Sequence, residues 1–190
     1  RIRSGEGILP GERILRSWNV LFHAGRLCLT ELEDALVRGP SGVRDLLERG
    51  ATLMEMTDKG PAPVPSADFF AGKKVVLFAL PGAFTPTCSN QHLPGFVKNA
   101  DALKAKGVDE IACLSVNDAF VMGAWGNEQN AGDAVRMLAD GNADFTKAVG
   151  LEMDGSSFGM GTRSLRYSML VDDGVLKTLN IESNPGGAEE

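Results

Sequence analysis

The sequence predicts an α/β fold with a central, mainly parallel sheet, flanking helices and a C-terminal antiparallel hairpin. Two uninterrupted apolar runs, at residues 75–80 and 111–116, are typical of strands buried on both faces of a parallel sheet. Segments with helical apolar spacing alternate with such runs, as in sheets covered by helices. Near the end of the chain, Asp172-Asp173-Gly174 separates two strand-like segments and is a hairpin signal.

The individual elements follow from local patterns. Strand signals recur along the second part of the chain, at residues 51–57, 75–80, 111–116, 135–139, 165–171 and 175–181. Helix signals lie between them: an apolar stripe at Leu93, Phe96, Val97, Ala100 and Leu103, a segment capped by Asp118, and residues 145–149. Pro94 predicts a kink near His92, and Gly107 ends that helix. From residue 75 the order β-α-β-α-β-α-β-β is the thioredoxin-like arrangement.

Composition and charge argue against several classes of protein. The chain has 190 residues, of which 43% are hydrophobic and 23% charged, as in one globular domain with an appendage. No run approaches the roughly 18 apolar residues of a membrane-spanning helix. The net charge of −6 argues against nucleic-acid binding, which needs a basic surface. Three cysteines, an odd number, argue against a disulfide-stabilised secreted scaffold and favour a reducing, cytoplasmic environment.

The chain divides near residue 50, where arginine gives way to lysine. Residues 1–50 contain eight Arg, no Lys and seven acids, whereas residues 51–190 contain eight Lys, three Arg and eighteen acids. We expect residues 1–50 to be an N-terminal extension of unknown role, either helical or poorly ordered, and residues 51–190 to be the folded domain. The arginines of the first 30 residues leave organellar targeting as the alternative to a cytoplasmic location. We also expect a fragment or processed chain, shortened before a final helix.

A stretch after the strand at 75–80 carries the residues most informative about chemistry. It reads Pro81-Gly82-Ala83-Phe84-Thr85-Pro86-Thr87-Cys88 and lies where a strand ends and a helix begins, the usual place for ligand sites in open α/β sheets. Unpaired N–H groups and the dipole of the helix start favour the nucleophilic thiolate of Cys88. Thr85 can offer its hydroxyl to the sulfur or to a substrate, and Pro81 lines the pocket without an N–H. A Cys-x-x-Cys exchange motif is excluded, because Thr85 takes the place of the other thiol.

This stretch resembles the active-site signature of the peroxiredoxins, Pro-x-x-x-Thr-x-x-Cys. Residues 91–95, 114–118 and 166–169 resemble the type II (type 5) subfamily in particular, and the resemblance covers residues 51–181. It implies that Cys88 is the peroxidatic cysteine and that Thr85 hydrogen-bonds the peroxide. It also implies that Arg166 stabilises the thiolate and the charge that grows on the leaving oxygen. No metal or organic cofactor is implied.

The resemblance implies a thiol peroxidase that reduces hydrogen peroxide and alkyl hydroperoxides through a cysteine sulfenic acid. Its role would be antioxidant defence and redox homeostasis. No cysteine follows Cys113, so regeneration by glutathione with glutaredoxin, or by thioredoxin, is expected; a resolving cysteine beyond Glu190 is the open alternative. A homodimer is implied, with Phe84 and Phe120 equally assignable to its interface or to the core. The alternative functions are a redox sensor that uses the same cysteine and a redox-inert fold whose N-terminal part binds a partner.

Four further residues have both a chemical and a structural interpretation. Cys113 lies in an apolar strand, where packing as a small hydrophobic residue is favoured over a redox role. His92, one turn after Cys88, is a candidate base, but packing or a hydrogen bond is favoured. Arg163 could be confused with Arg166, and the match of residues 166–169 favours Arg166. Cys28 belongs to the N-terminal part, and nothing in the sequence indicates a disulfide partner for it.

Overall fold

The computed structural model describes residues 50–182, so Cys28 and the expectations for residues 1–49 and 183–190 lie outside the described residues. The described part contains these strands: β1 Thr52–Thr57, β2 Gly60–Pro65, β3 Lys74–Leu80, β4 Glu110–Ser115, β5 Arg136–Ala139, β6 Glu152–Asp154, β7 Thr162–Ser164, β8 Tyr167–Asp172 and β9 Val175–Ile181. It also contains these helices: α1 Ser66–Phe70, α2 Leu93–Lys104, α3 Ala119–Glu128 and α4 Asp144–Ala148. A π-helical turn, Cys88–His92, leads directly into α2, and a 3-10 turn, Ser156–Phe158, separates β6 from β7.

The seven-stranded sheet has the strand order β2-β1-β5-β4-β3-β8-β9. Its three central strands, β5, β4 and β3, are parallel, and the β8–β9 hairpin is antiparallel. The predicted fold class is confirmed. The structure adds antiparallel pairing on the other side, where β1 pairs with both β2 and β5. β3 therefore lies inside the sheet, with β4 and β8 as neighbours. The segment that follows the carboxyl end of β3 carries Cys88.

Two strand pairs were not predicted from the sequence. β6 and β7 are three-residue strands, too short for a periodic signal, and they pair with each other in a separate small sheet. β2 contains Pro61, Pro63 and Pro65, which argue against a strand because proline cannot donate a hydrogen bond. The Ser66 N–H donates to the Ala51 carbonyl just beyond the pair. Residues that bond to the partner strand alternate along an antiparallel ladder with residues that do not. The backbone nitrogens of all three prolines therefore point away from β1, where no hydrogen bond to β1 is needed.

The core forms one apolar cluster on each face of the sheet. Along β3, Val75, Leu77 and Ala79 contribute to one cluster, whereas Val76, Phe78 and Leu80 contribute to the other. Cys88 lies in the second cluster, which also includes residues of α2 and α3 such as Phe96 and Trp125. The candidate thiol is therefore packed against the main core rather than attached to a surface loop.

Among residues 50–182, the helices are too short or too polar to cross a membrane.

Several predicted helix and turn boundaries are confirmed. The Asp118 carboxylate caps α3 by accepting from the Val121 N–H at 2.9 Å. Gly107 has a φ of +85° just beyond α2, and its N–H donates to the Lys104 carbonyl. The hairpin between β8 and β9 turns at Asp173 and Gly174, with φ values of +47° and +72° as a two-residue type I′ turn requires. At the place where Pro94 predicts a kink, the backbone adopts the π-helical turn.

Candidate active site

The carboxyl end of β3 and the start of the following helix position Cys88. The Ser89 N–H donates to the Thr85 carbonyl at 3.0 Å, which makes Thr85 the acceptor of the first helical hydrogen bond. The N–H groups of Thr87 and Cys88 precede this bond and have no acceptor within the helix. Cys88 itself is fully buried. The predicted placement of Cys88 in the first helical turn after a buried strand is therefore present in the structure.

The loop between β3 and Cys88 is held by polar side chains rather than by packing alone. Asn117 Oδ1 accepts from the Ala83 N–H at 3.0 Å and from the Ser115 hydroxyl at 2.8 Å. The Thr85 hydroxyl donates to the Gly82 carbonyl at 2.9 Å. Phe84 has a φ of +63°, in the left-handed region that a bulky side chain rarely adopts. Such strain is maintained only where the surroundings fix the backbone, and it is frequent at functional sites.

Arg166 approaches the sulfur from the other side. It follows β7 and directly precedes β8, the strand that pairs with β3, so the sheet brings it next to a residue 78 positions earlier. Its Nη2 lies 3.5 Å from Cys88 Sγ, and its Nη1 lies 2.9 Å from His92 Nδ1. The side chain is buried, so a full positive charge lies in a site with little water. Such a charge favours the thiolate form of a neighbouring thiol and any negative charge that develops beside it.

His92 completes the contact with Arg166 as an acceptor. A guanidinium carries only donors, so the Nδ1 atom of His92 must accept and the ring proton is assigned to Nε2. Burial, with the Arg166 charge as the second cause, lowers the pKa of His92 from 6.5 to about 3. The imidazole is therefore neutral near pH 7. Because its Nδ1 lone pair is engaged by Arg166, His92 is not placed to take a proton from Cys88 through that atom.

The structure assigns different positions to the other residues singled out by the sequence. Pro81 is buried and Thr85 half-buried in the loop that precedes Cys88. Arg163 does not contact the sulfur: its Nη1 donates to the Val116 carbonyl at 2.8 Å and its Nε to the Met160 carbonyl at 2.9 Å. Cys113 is fully buried in β4, and burial, together with the neighbouring Cys88, raises the pKa of its thiol well above the usual value.

Two polar contacts of the site were not identified from the sequence. The sequence singled out Asn117 only within residues 114–118, which resemble a family motif. Its hydrogen bond with the Ala83 N–H forms because β4 lies beside β3. The indole of Trp125 donates from Nε1 to the Ser89 hydroxyl at 3.0 Å, which ties α3 to the residue after Cys88. No local spacing indicates either contact, because both join elements distant in sequence. Within residues 50–182, no three His, Cys, Asp or Glu side chains are grouped as metal ligands.

A family model and the curated relatives of this chain indicate the same protein family. Residues 41–190 match the Redoxin family model. The chain is 59% identical over 128 residues to peroxiredoxin-2E-2, chloroplastic, of Oryza sativa subsp. japonica, covering 66% of this chain and 56% of that protein. It is 51% identical over 132 residues to peroxiredoxin sll1621 of Synechocystis, covering 67% of this chain and 69% of that protein. The chain thus spans little more than half the length of the rice relative.

A solved structure agrees with both the fold and the sequence match. Reduced Prx3 in complex with hydrogen peroxide, from Vibrio vulnificus, has a TM-score of 0.68 and 61% sequence identity to this chain. The alignment covers 72% of this chain and 85% of that one. The part of the chain that matches the family model, residues 41–190, contains both Cys88 and Arg166. On this basis the chain belongs to the redoxin family and, within it, to the type II peroxiredoxins.

Proposed function

We propose that this protein is a thiol peroxidase in which Cys88 reduces hydroperoxides. The observation that carries the proposal is the 3.5 Å contact between Cys88 Sγ and the buried guanidinium of Arg166. In the proposed step the thiolate attacks the terminal oxygen of the hydroperoxide, an S–O bond forms and the O–O bond breaks. The sulfur loses two electrons and becomes a sulfenic acid. The other oxygen gains them, takes up a proton and leaves as water or an alcohol.

The surroundings of Cys88 supply complementary groups for this step. Arg166 stabilises the thiolate before attack and the negative charge on the departing oxygen during it. The Thr85 hydroxyl already donates its proton to the Gly82 carbonyl, so its oxygen is left as an acceptor for the hydroperoxide O–H. The N–H groups of Thr87 and Cys88 precede the first helical hydrogen bond and provide further donors. Pro81 lines the same loop and adds no competing N–H.

Hydrogen peroxide and alkyl hydroperoxides are the proposed substrates. The Vibrio vulnificus neighbour is described with hydrogen peroxide, which supports this substrate class. The proposed reductant of oxidised Cys88 is an external thiol, either glutathione with glutaredoxin or thioredoxin, and a resolving cysteine beyond Glu190 is the alternative. The full burial of Cys113 supports an external reductant, because a resolving thiol must reach the sulfenic acid.

Assembly and location are proposed with the activity. A homodimer that contacts through the face beside the active site is supported by two exposed aromatic residues, Phe84 at 48% and Phe120 at 61% exposure. The rice and Arabidopsis relatives named as chloroplastic support the organellar alternative over a cytoplasmic location. We retain the division into an N-terminal extension at residues 1–50 and a peroxiredoxin domain at residues 51–190 as a proposal.

The test is peroxide consumption by the full chain with a glutathione–glutaredoxin or thioredoxin system. Cys88→Ser should abolish turnover, whereas Cys113→Ala, which removes another buried thiol of the same core cluster, should retain it. Many cycles per molecule support a peroxidase. Oxidation that stops after one equivalent with both reductant systems supports the sensor alternative, and full activity of Cys88→Ser overturns the proposal.

A further inference from the structure

The π-helical turn between Cys88 and His92 brings two side chains to the same guanidinium. The Leu93 N–H donates to the Cys88 carbonyl five residues earlier, which defines the widened turn. Cys88 begins this turn and His92 ends it, and Arg166 contacts both, through Nη2 and Nη1 respectively. Because the two nitrogens belong to one planar fork, fixing Nη1 also fixes the direction in which Nη2 points.

The ring of His92 is itself held in place. It makes edge-on contacts with Phe78, at 5.1 Å between centroids and 61°, and with Phe96, at 5.6 Å and 64°. Those two phenyl rings are stacked on each other, 3.9 Å apart and nearly parallel. Phe78 belongs to β3 and Phe96 to α2, so the imidazole is oriented by the sheet and by the helix together. Its acceptor atom is therefore presented to Arg166 in a defined direction.

We propose that His92 is a positioning residue that holds Arg166 against Cys88 while leaving the arginine charge uncompensated. The inference rests on the proposed function, in which Arg166 acts on the Cys88 sulfur. A carboxylate could hold a guanidinium more firmly, but it would cancel the charge that the thiolate and the leaving oxygen require. A neutral imidazole accepts the hydrogen bond without doing so. The lowered pKa of His92 is consistent with this role, because the ring stays neutral over the working range.

Three substitutions at position 92 separate this role from packing and from hydrogen-bond strength. In His92→Asn the amide oxygen can take the position of Nδ1, since both atoms are two bonds from Cβ. His92→Asp places a charged acceptor at the same point, and His92→Leu removes the acceptor while keeping an apolar side chain. A hydrogen bond to a charged group is worth about 1.5–3 kcal/mol, which corresponds to roughly 10- to 100-fold in rate.

The measurement is the second-order rate of Cys88 oxidation by hydrogen peroxide in the reduced full chain, with the thermal unfolding midpoint recorded for each variant. We expect His92→Asn to react within about 5-fold of the wild-type chain, and His92→Asp and His92→Leu to be at least about 10-fold slower. The order of the rates should not follow the order of the unfolding midpoints. A His92→Asp chain as fast as His92→Asn, or rates that simply follow stability, would overturn the inference.

A second probe keeps this outcome separate from that of the proposed function. Alkylation of Cys88 by iodoacetamide, quantified on the peptide that contains it, depends on the thiolate but not on peroxide chemistry. If the wild-type chain does not reduce peroxide, the proposed function fails. The alkylation rates of the same four proteins then decide the role of His92. Equal alkylation rates in His92→Asn and His92→Asp count against it, and the order Asn faster than Asp supports it.

Discussion

Replacing Arg166 with methionine tests how far one charge accounts for the reactivity of Cys88. The substitution keeps much of the side-chain length and removes the guanidinium. Two unit charges 3.5 Å apart attract by about 5 kcal/mol at an effective dielectric constant of about 20, against about 1 kcal/mol in water. Part of this attraction is lost to relaxation and water entry in the variant. We therefore expect a fall of about 100- to 1000-fold in the rate with hydrogen peroxide, the usual effect of removing one transition-state donor.

The rate is measured by rapid mixing of the reduced chain with excess peroxide and quantification of free Cys88 thiol by mass spectrometry. Arg163→Met is the matched control, because Arg163 is a half-buried arginine near the site whose hydrogen bonds go to the carbonyls of Val116 and Met160 and not to the sulfur. It should lower stability by about 1–3 kcal/mol through the unpaired carbonyls and slow the reaction far less than Arg166→Met. A rate for Arg166→Met within about 3-fold of the wild-type rate would refute the assignment of the charge to catalysis.

Three further predictions concern the residues around the site and the sheet. Cys113→Ala should keep the rate of reaction with peroxide, and a loss of that rate contradicts the packing role of Cys113. Cys113→Ser should lower the free energy of unfolding by about 1–3 kcal/mol, because it buries a hydroxyl in the core. Chemical denaturation measures this difference. Burial tends to raise the pKa of Glu110, but its bonds to Arg136 and Lys73 hold the pKa below the usual 4.5, so this pair's stability is present above pH 4.5 and is lost as pH falls through the lowered pKa. Glu110→Gln should weaken this acid-side loss of stability, and an unchanged pH dependence of the melting temperature below pH 4.5 argues against it. The pKa of His92 is about 3 in the folded chain, so between about pH 3 and pH 6.5 the unfolded chain binds one more proton than the folded chain. The free energy of unfolding then falls with falling pH, by at most about 1.4 kcal/mol per pH unit. This pH dependence should be absent in His92→Asn, and an identical pH dependence in the wild-type chain and the variant would show that the ring is not buried in its neutral form.

The parts of the fold that were predictable are those governed by local pattern. The apolar run of β3, the stripe of α2 and the turn at Asp173-Gly174 each carry a periodicity or a turn chemistry that a single sequence displays. β2 was not predictable in the same way. Its prolines are unfavourable in a strand by local rules and are accommodated only because they alternate in phase with the ladder to β1. That condition depends on the partner strand and not on the segment itself.

The same distinction applies to the site. Cys88 could be identified because consecutive residues of the sequence indicate both the strand that ends before it and the helix that begins at it. Its contact with Arg166 could not be derived locally, since it depends on β8 pairing with β3, and only the family resemblance indicated it. The role of His92 as an acceptor for Arg166 needed the three-dimensional contact, because a histidine one turn after a thiol is equally compatible with a base. Asn117 is a similar case, since its bond to Ala83 joins the segments that follow two neighbouring strands, β4 and β3.

The phase of the prolines in β2 also has a consequence for self-association. β2 is an outer strand of the sheet, and the backbone positions that it turns outward are those of Pro61, Pro63 and Pro65. A strand from another molecule that approached this edge would meet carbonyls but none of the N–H donors needed to complete a ladder. This side of the sheet is therefore closed to strand addition and to the intermolecular pairing that leads to aggregation. Within the seven-stranded sheet, the other outer strand is β9, whose residues, Val175–Ile181, include no proline, so association through an edge of this sheet would use β9.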